Sequence, residues 1–158
     1  MKRSNLVPVV TRSTRILILG SMPSQQSLQK QQYYGNSQNH FWKIVGGVFE
    51  EDFPEDYARR LQRLRGLRVG LWDVIASCHR NGSSLDSAIK DARINDFGKF
   101  LLQYRHLNVI GCNGGLAYRL FTRHVVTDVP VVKLPSSSPA HAVPLQTKIA
   151  AWRRLLRY

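Results

Sequence analysis

Four short apolar runs rich in β-branched residues are spaced along this chain with helical patterns between them, and that alternation permits few folds. The runs are RILIL at 15–19, RVGLW at 68–72, LNVIG at 107–111 and VPVVKL at 129–134. Strands that alternate with helices predict a parallel sheet covered on both faces. Between the runs, Phe41, Ile44, Val45, Val48 and Phe49 recur at helical spacing, as do Tyr57, Leu61 and Leu64, then Phe97, Phe100, Leu101 and Tyr104, then Leu116, Leu120 and Phe121. A last helix is expected over 145–156, with Ile149, Trp152, Leu155 and Leu156 on its apolar face and Lys148, Arg153, Arg154 and Arg157 turned outward. The fold class that follows is α/β: a three-layer α/β/α sandwich with a central four-stranded, mainly parallel sheet.

A chain of 158 residues, 43% of them apolar, closes one ordinary core, so residues 1–158 are read as a single domain without repeat or linker. Its charge is less ordinary. Lys and Arg number 23 against 10 Asp and Glu, a formal net charge of +13 that suits partners carrying phosphate. Five of those acids stand between Glu50 and Asp56, leaving residues 1–49 and 129–158 without a carboxylate. No apolar run approaches the roughly 20 residues of a spanning helix, and no signal-peptide core opens the chain. The expectation is a cytoplasmic, monomeric protein with nucleic acid as partner and no membrane association.

Two cysteines, Cys78 and Cys112, cannot make a disulfide framework, and neither belongs to a C-x-x-C pair. They read as small buried apolar residues, with no metal expected.

In open α/β sheets the ligand crevice lies beyond the carboxyl ends of the strands. That rule selects Gly20-Ser21-Met22-Pro23-Ser24 and the amide-rich stretch after it, Asp73 to Ser84, Cys112-Asn113-Gly114-Gly115, and Pro135 to His141. These segments supply glycines, hydroxyls, amides and an aromatic pair, with Asp73 as the one acid near a strand end. Several chemistries fall away. Gly20-Ser-Met-Pro-Ser24 lacks the further glycines of a dinucleotide site, no Gly-Lys-Ser/Thr makes a P-loop, and no G-x-S-x-G forms a nucleophile elbow. A zinc deaminase would need H-x-E and P-C-x-x-C, which are also missing. Cleavage of a sugar–base bond remains, because it develops positive charge on the sugar and negative charge on the departing base. Amides, backbone N–H groups and the DNA phosphates can stabilise those charges without a strong base.

The set formed by Gly20-Ser-Met-Pro-Ser24, Tyr34-Gly-Asn-Ser-Gln-Asn39-His-Phe-Trp42, Asn113-Gly114 and Leu134-Pro-Ser-Ser-Ser-Pro-Ala-His141 resembles the uracil-DNA glycosylase superfamily, and within it the hypoxanthine-DNA glycosylase family. The resemblance covers the chain from about residue 13 onward, motif order and spacing intact. It implies a monofunctional, cofactor-free enzyme that flips a deaminated nucleotide, preferentially deoxyinosine, out of DNA and hydrolyses its glycosidic bond. The superfamily's usual water-positioning Asp or Asn is replaced here by Met22, and the resemblance transfers that catalytic role to Asn39. It further implies that Gly20, Ser21, Met22 and Pro23 contact the substrate, that Tyr34 stacks on the base and Asn113 reads its edge, and that Ser136, Ser137, Ser138 and His141 grip the DNA.

Plainer readings compete for the same residues. Asn39 precedes a helix and could cap it, which would engage the amide that the chemistry needs. Asn113-Gly114-Gly115 is a natural strand-to-helix turn. Asp73 could ion-pair with Arg80 and do no chemistry.

Overall fold

The computed structural model describes residues 2–4 and 6–158, with side chains from residue 6 onward. Its central sheet holds β2 (Ile16–Gly20), β3 (Val69–Asp73), β6 (Val109–Asn113) and β7 (Val131–Leu134) in the order β3-β2-β6-β7, every neighbouring pair parallel. The four predicted strands are these four, each beginning one or two residues later than the apolar run suggests.

Alternation along a strand sends successive side chains to opposite faces, and β2 shows the result. Ile18 joins one core with residues from α2 (Phe41–Phe49), α3 (Tyr57–Gly66) and α6 (Leu145–Trp152). Leu17 and Leu19 join the other, built with Phe97 and Phe100 of α4 (Phe97–Gln103) and Ala117 and Phe121 of α5 (Gly115–His124). Two helix layers enclosing one sheet make the expected sandwich. Cys78 and Cys112 are both buried, as expected of small apolar residues. No helix among the described residues is long and apolar enough to cross a membrane.

A second sheet was not expected. β1 (Lys2–Ser4), β4 (Ile75–His79) and β5 (Lys90–Ile94) form an antiparallel sheet in the order β1-β4-β5. The stretch from Asp73 to Ser84, read from the sequence as a loop, therefore starts with a strand separated from β3 by Val74 alone. A short helix, α1 (Gln25–Lys30), also lies in the amide-rich stretch; the Ser24 hydroxyl caps it by accepting the Ser27 N–H.

The C-terminal helix departs from expectation at two residues. Lys148 is 0% exposed, and Leu156 is half-exposed. The second follows from geometry: after Trp152 the chain tightens into a 3-10 turn over Arg153–Arg157, and its three-residue period carries Leu156 off the face that a 3.6-residue period would give it. Arg153, Arg154 and Arg157 do face solvent.

Candidate active site

The chain runs from β2 to β3 on one side of the sheet and later returns to place β6 on the other side of β2, so the strand order reverses at β2. Open α/β sheets form their ligand crevices at such a reversal, beyond the strand ends. A cavity of about 500 Å³ lies there. The last residues of three strands, Gly20, Asp73 and Asn113, line it together with residues 136–138, which follow β7.

Every residue that the sequence reading assigns to a site lines this one cavity: residues 20–23, Tyr34, Asn39, Asn113, residues 136–138 and His141. Their exposure orders them by depth. Gly20, Asp73 and Asn113 form a buried floor, Tyr34 and Asn39 stand half-buried on the wall, and Leu85, Pro139, Ala140 and His141 make an exposed rim.

On the floor, an ideal Cβ added to Gly20 would stand 2.6 Å from Asp73 Oδ1 and 3.4 Å from the Tyr34 hydroxyl. Only a glycine leaves room for that convergence. Asp73 is 3% exposed, and its Oδ2 is buried without a hydrogen bond. Arg80 turns elsewhere: its guanidinium donates to the carbonyls of Pro23 at 2.6 Å and Met22 at 3.4 Å, so it fastens the loop after β2. Desolvation by burial pushes the Asp73 carboxyl up to about 7, with Arg80 opposing the shift and Asp86 adding to it.

Asn113 is engaged on both sides of its amide. Oδ1 accepts the Ser137 N–H at 2.8 Å, while Nδ2 donates to Ser137 Oγ at 2.8 Å and to the Tyr34 hydroxyl at 3.2 Å. Both amide protons are thus committed within the protein, which makes Asn113 a clasp between Tyr34 and the serine loop. Ser137, 1% exposed, spends its N–H and one lone pair of its hydroxyl oxygen on this clasp, and it lines the cavity with its neighbours.

Ser136 and Ser138 differ from Ser137. Ser136 Oγ accepts the Ser138 N–H at 3.1 Å and Ser138 Oγ accepts the Ala140 N–H at 3.2 Å. With one lone pair of each oxygen engaged, each hydroxyl proton remains available to an acceptor such as a phosphate oxygen. Beneath the loop, Lys148 Nζ donates to the Ser138 carbonyl at 3.2 Å, which accounts for a lysine turned inward. Desolvation lowers its pKa, and His40 is also held low, first by desolvation and then by Lys148 and Lys43.

Tyr34 takes a left-handed backbone, φ 55°, unusual for a residue with a side chain. Ser27 Oγ holds the turn by accepting the Gly35 N–H at 3.0 Å. The Tyr34 ring stacks on Phe41, centroids 3.9 Å apart and planes 10° from parallel; Tyr34 lines the cavity and Phe41 does not. Burial, then the Asp73 charge, raises the Tyr34 pKa, so it stays a phenol. Tyr33 belongs to the core, its hydroxyl donating to the Val7 carbonyl at 2.6 Å.

Asn39 both holds the helix start and stands in the cavity wall. Its Oδ1 accepts the Phe41 N–H at 2.9 Å at the start of α2, and the same side chain lines the cavity. One amide bond is fixed by the helix, and a second lone pair on Oδ1 and the Nδ2 protons remain.

Residues 7–157 match the family described as the Uracil DNA glycosylase superfamily. The chain belongs to that superfamily. Among superfamily relatives, a Hypoxanthine DNA glycosylase of Methanosarcina acetivorans is 39% identical over 153 residues, covering 95% of each chain. A second Hypoxanthine DNA glycosylase, from Methanosarcina barkeri, is 35% identical over 155 residues, 96% of each. A solution NMR structure of a Methanosarcina acetivorans protein assigned to uracil DNA glycosylases superposes with a TM-score of 0.83 at 37% identity and covers 99% of both chains. The superfamily fold accounts for the parallel sheet and the strand-end cavity.

Sequence reasoning stopped short on one segment of the site. It selected the stretch ending at Ser84, and Leu85 and Asp86 also reach the cavity from between β4 and β5, Ser21 Oγ donating to Asp86 Oδ1 at 2.6 Å. An exposed, polar, weakly patterned loop carries no periodic signal that would have placed it there.

Proposed function

We propose that this protein is a monofunctional DNA glycosylase of a single domain that extrudes a deaminated nucleotide, deoxyinosine first, and hydrolyses its N-glycosidic bond. It works as a monomer on cytoplasmic chromosomal DNA, without membrane association, metal or cofactor. One observation carries the reading: a cavity at the sheet's reversal point gathers Tyr34, Asn39 and the serine loop in one lining, and relatives of matching length are named for this activity.

A flipped nucleotide enters such a cavity base first, because its sugar stays in the strand. The ring then lies against Tyr34, which Phe41 backs, and the sugar is left level with Asn39. Breaking the bond from C1′ to N9 sends the electron pair to the base and leaves a cationic sugar that the flanking phosphates stabilise. That cation is electrophilic enough for water held in place, so a neutral amide suffices. With the Phe41 N–H fixing Oδ1, the remaining lone pair accepts a hydrogen bond from water and aims its oxygen at C1′; as the C–O bond forms the water loses a proton to solvent, and the departing base anion takes one up from solvent. Ser136 and Ser138 on the wall and His141 at the rim hold the strand.

Oligonucleotides carrying inosine, uracil or xanthine, incubated with the protein and then treated with alkali, test this reading. Inosine should give the most product, and borohydride should trap no covalent adduct, since no lysine among the described residues lines the cavity. Salt-sensitive DNA binding with no base released from any lesion would replace the reading with that of a non-catalytic binding domain.

A further inference from the structure

The cavity floor carries one polar side chain that the mechanism above leaves idle. The other buried polar side chains of the lining are engaged: Ser21 with Asp86, Ser27 with the Gly35 N–H, Tyr33 with the Val7 carbonyl, and Asn113 with Ser137. Asp73 has no side-chain hydrogen bond among the described residues, and its Oδ2 is fully enclosed. A buried polar group without a partner destabilises the fold, so its persistence points to a task outside the folded chain.

We propose that Asp73 binds the departing base, its carboxylic acid donating a hydrogen bond to O6 of the extruded base and accepting one from N1–H. This assignment rests on the glycosylase reading. The atoms that enter deepest are those farthest from the sugar, and in hypoxanthine these are O6 and N1 on the Watson–Crick edge. That edge offers one acceptor beside one donor, which a neutral carboxyl answers with one donor beside one acceptor. Tyr34 fixes the ring plane, and the bare Cα of Gly20 lets the base approach Asp73 Oδ1. As the bond to C1′ breaks, charge spreads onto O6, and the hydrogen bond from the acid strengthens there.

The groups facing Asp73 suit a neutral acid. Desolvation dominates, Arg80 favours ionisation, Asp86 opposes it, and Tyr33 and Tyr34 contribute neutral phenols, so the proton stays on Asp73 up to about pH 7. Once ionised, the carboxylate would face O6 with two acceptors and repel it.

The test compares wild type, Asp73→Asn and Asp73→Leu for single-turnover release of hypoxanthine from pH 5 to 9, with DNA affinity by anisotropy and folding by circular dichroism. Asparagine preserves a donor and an acceptor and does not titrate; leucine preserves only bulk. Wild-type release should fall above about pH 7, and Asp73→Asn should stay active and lose that fall. Asp73→Leu should lose about 100-fold below pH 7, a deficit that narrows as the wild type falls above it, with DNA affinity and fold intact. Release by Asp73→Leu at the wild-type rate overturns the assignment. So does a wild-type rate that climbs with pH and vanishes in Asp73→Asn, which would make the carboxylate a water-activating base. Equal loss in both variants together with lost folding would make Asp73 structural. A wild type that frees no base removes the glycosylase reading and this assignment together, whereas an active wild type beside an indifferent Asp73→Leu removes this assignment alone.

Discussion

Asn113 and Ser137 hold each other twice, through the Ser137 N–H on Oδ1 and through Nδ2 on Ser137 Oγ, each at 2.8 Å. The pair joins the end of β6 to the loop after β7, and the second Nδ2 proton extends the link to Tyr34. Replacing Asn113 by Ala would strand the buried Ser137 N–H and hydroxyl. A loss of about 2–3 kcal/mol in urea unfolding is expected, against about 1 for Ser137→Ala, which leaves the backbone bond in place. Glycosylase activity should fall with Asn113→Ala through weaker substrate binding as well as slower chemistry.

Asn39 separates into its two roles by substitution. Asn39→Ala loses both the bond to the Phe41 N–H, worth about 1 kcal/mol of helix-end stabilisation, and the water contact. Release of hypoxanthine should drop by about 10²–10³-fold with DNA affinity retained. Asn39→Asp keeps an acceptor for both partners and should recover thermal stability and part of the rate. Equal product from Asn39→Ala and wild type would take Asn39 out of the chemistry.

At Gly20 the added methyl of alanine would stand 2.6 Å from Asp73 Oδ1, closer than unbonded atoms approach. The carboxyl has to move away from the floor. Gly20→Ala should therefore slow base release by about 10²-fold, since misplacement on an ångström scale has that effect, while salt-dependent DNA binding is preserved. Single-turnover kinetics beside anisotropy would register the split.

Asp73 also predicts how stability responds to pH. Its pKa is higher in the folded protein, about 7, than the ordinary 3.8 expected of the unfolded chain. Between those values the unfolded state releases the proton and the folded state keeps it. The residue's contribution is thus most favourable below pH 3.8, is lost progressively as pH rises toward 7, and changes no further above it. The melting temperature of Asp73→Asn relative to wild type should rise across that window and then level off, as followed by calorimetry. An unchanging difference would mean that the acid titrates alike in both states.

Much of this was legible in the sequence because it rests on periodicity and order along the chain. Leu17 and Leu19 on one face of a strand and Ile18 on the other is a pattern of two, and Ile44, Val45 and Val48 is a pattern of helical turns. The segments that line the cavity were selected because they follow strand ends. The antiparallel sheet was hidden for a physical reason: β5, KDARI, buries almost nothing, and β4 begins two residues after β3 ends, with no turn residue between them. Lys148 misled because charge is ordinarily read as exposure; the Ser138 carbonyl that draws it inward lies ten residues away. The protonation of Asp73 and the engagement of the Asn113 amide depend on what surrounds them in space, and no spacing in the chain encodes either.

The His40 N–H donates to the Ser137 carbonyl at 3.0 Å, and His40 is the immediate neighbour of Asn39. The serine loop and the segment bearing the amide are therefore tied by a backbone hydrogen bond. On the glycosylase reading, a strand that shifts the serine loop would shift Asn39 with it, so capture of the polymer and aim of the water would adjust in concert.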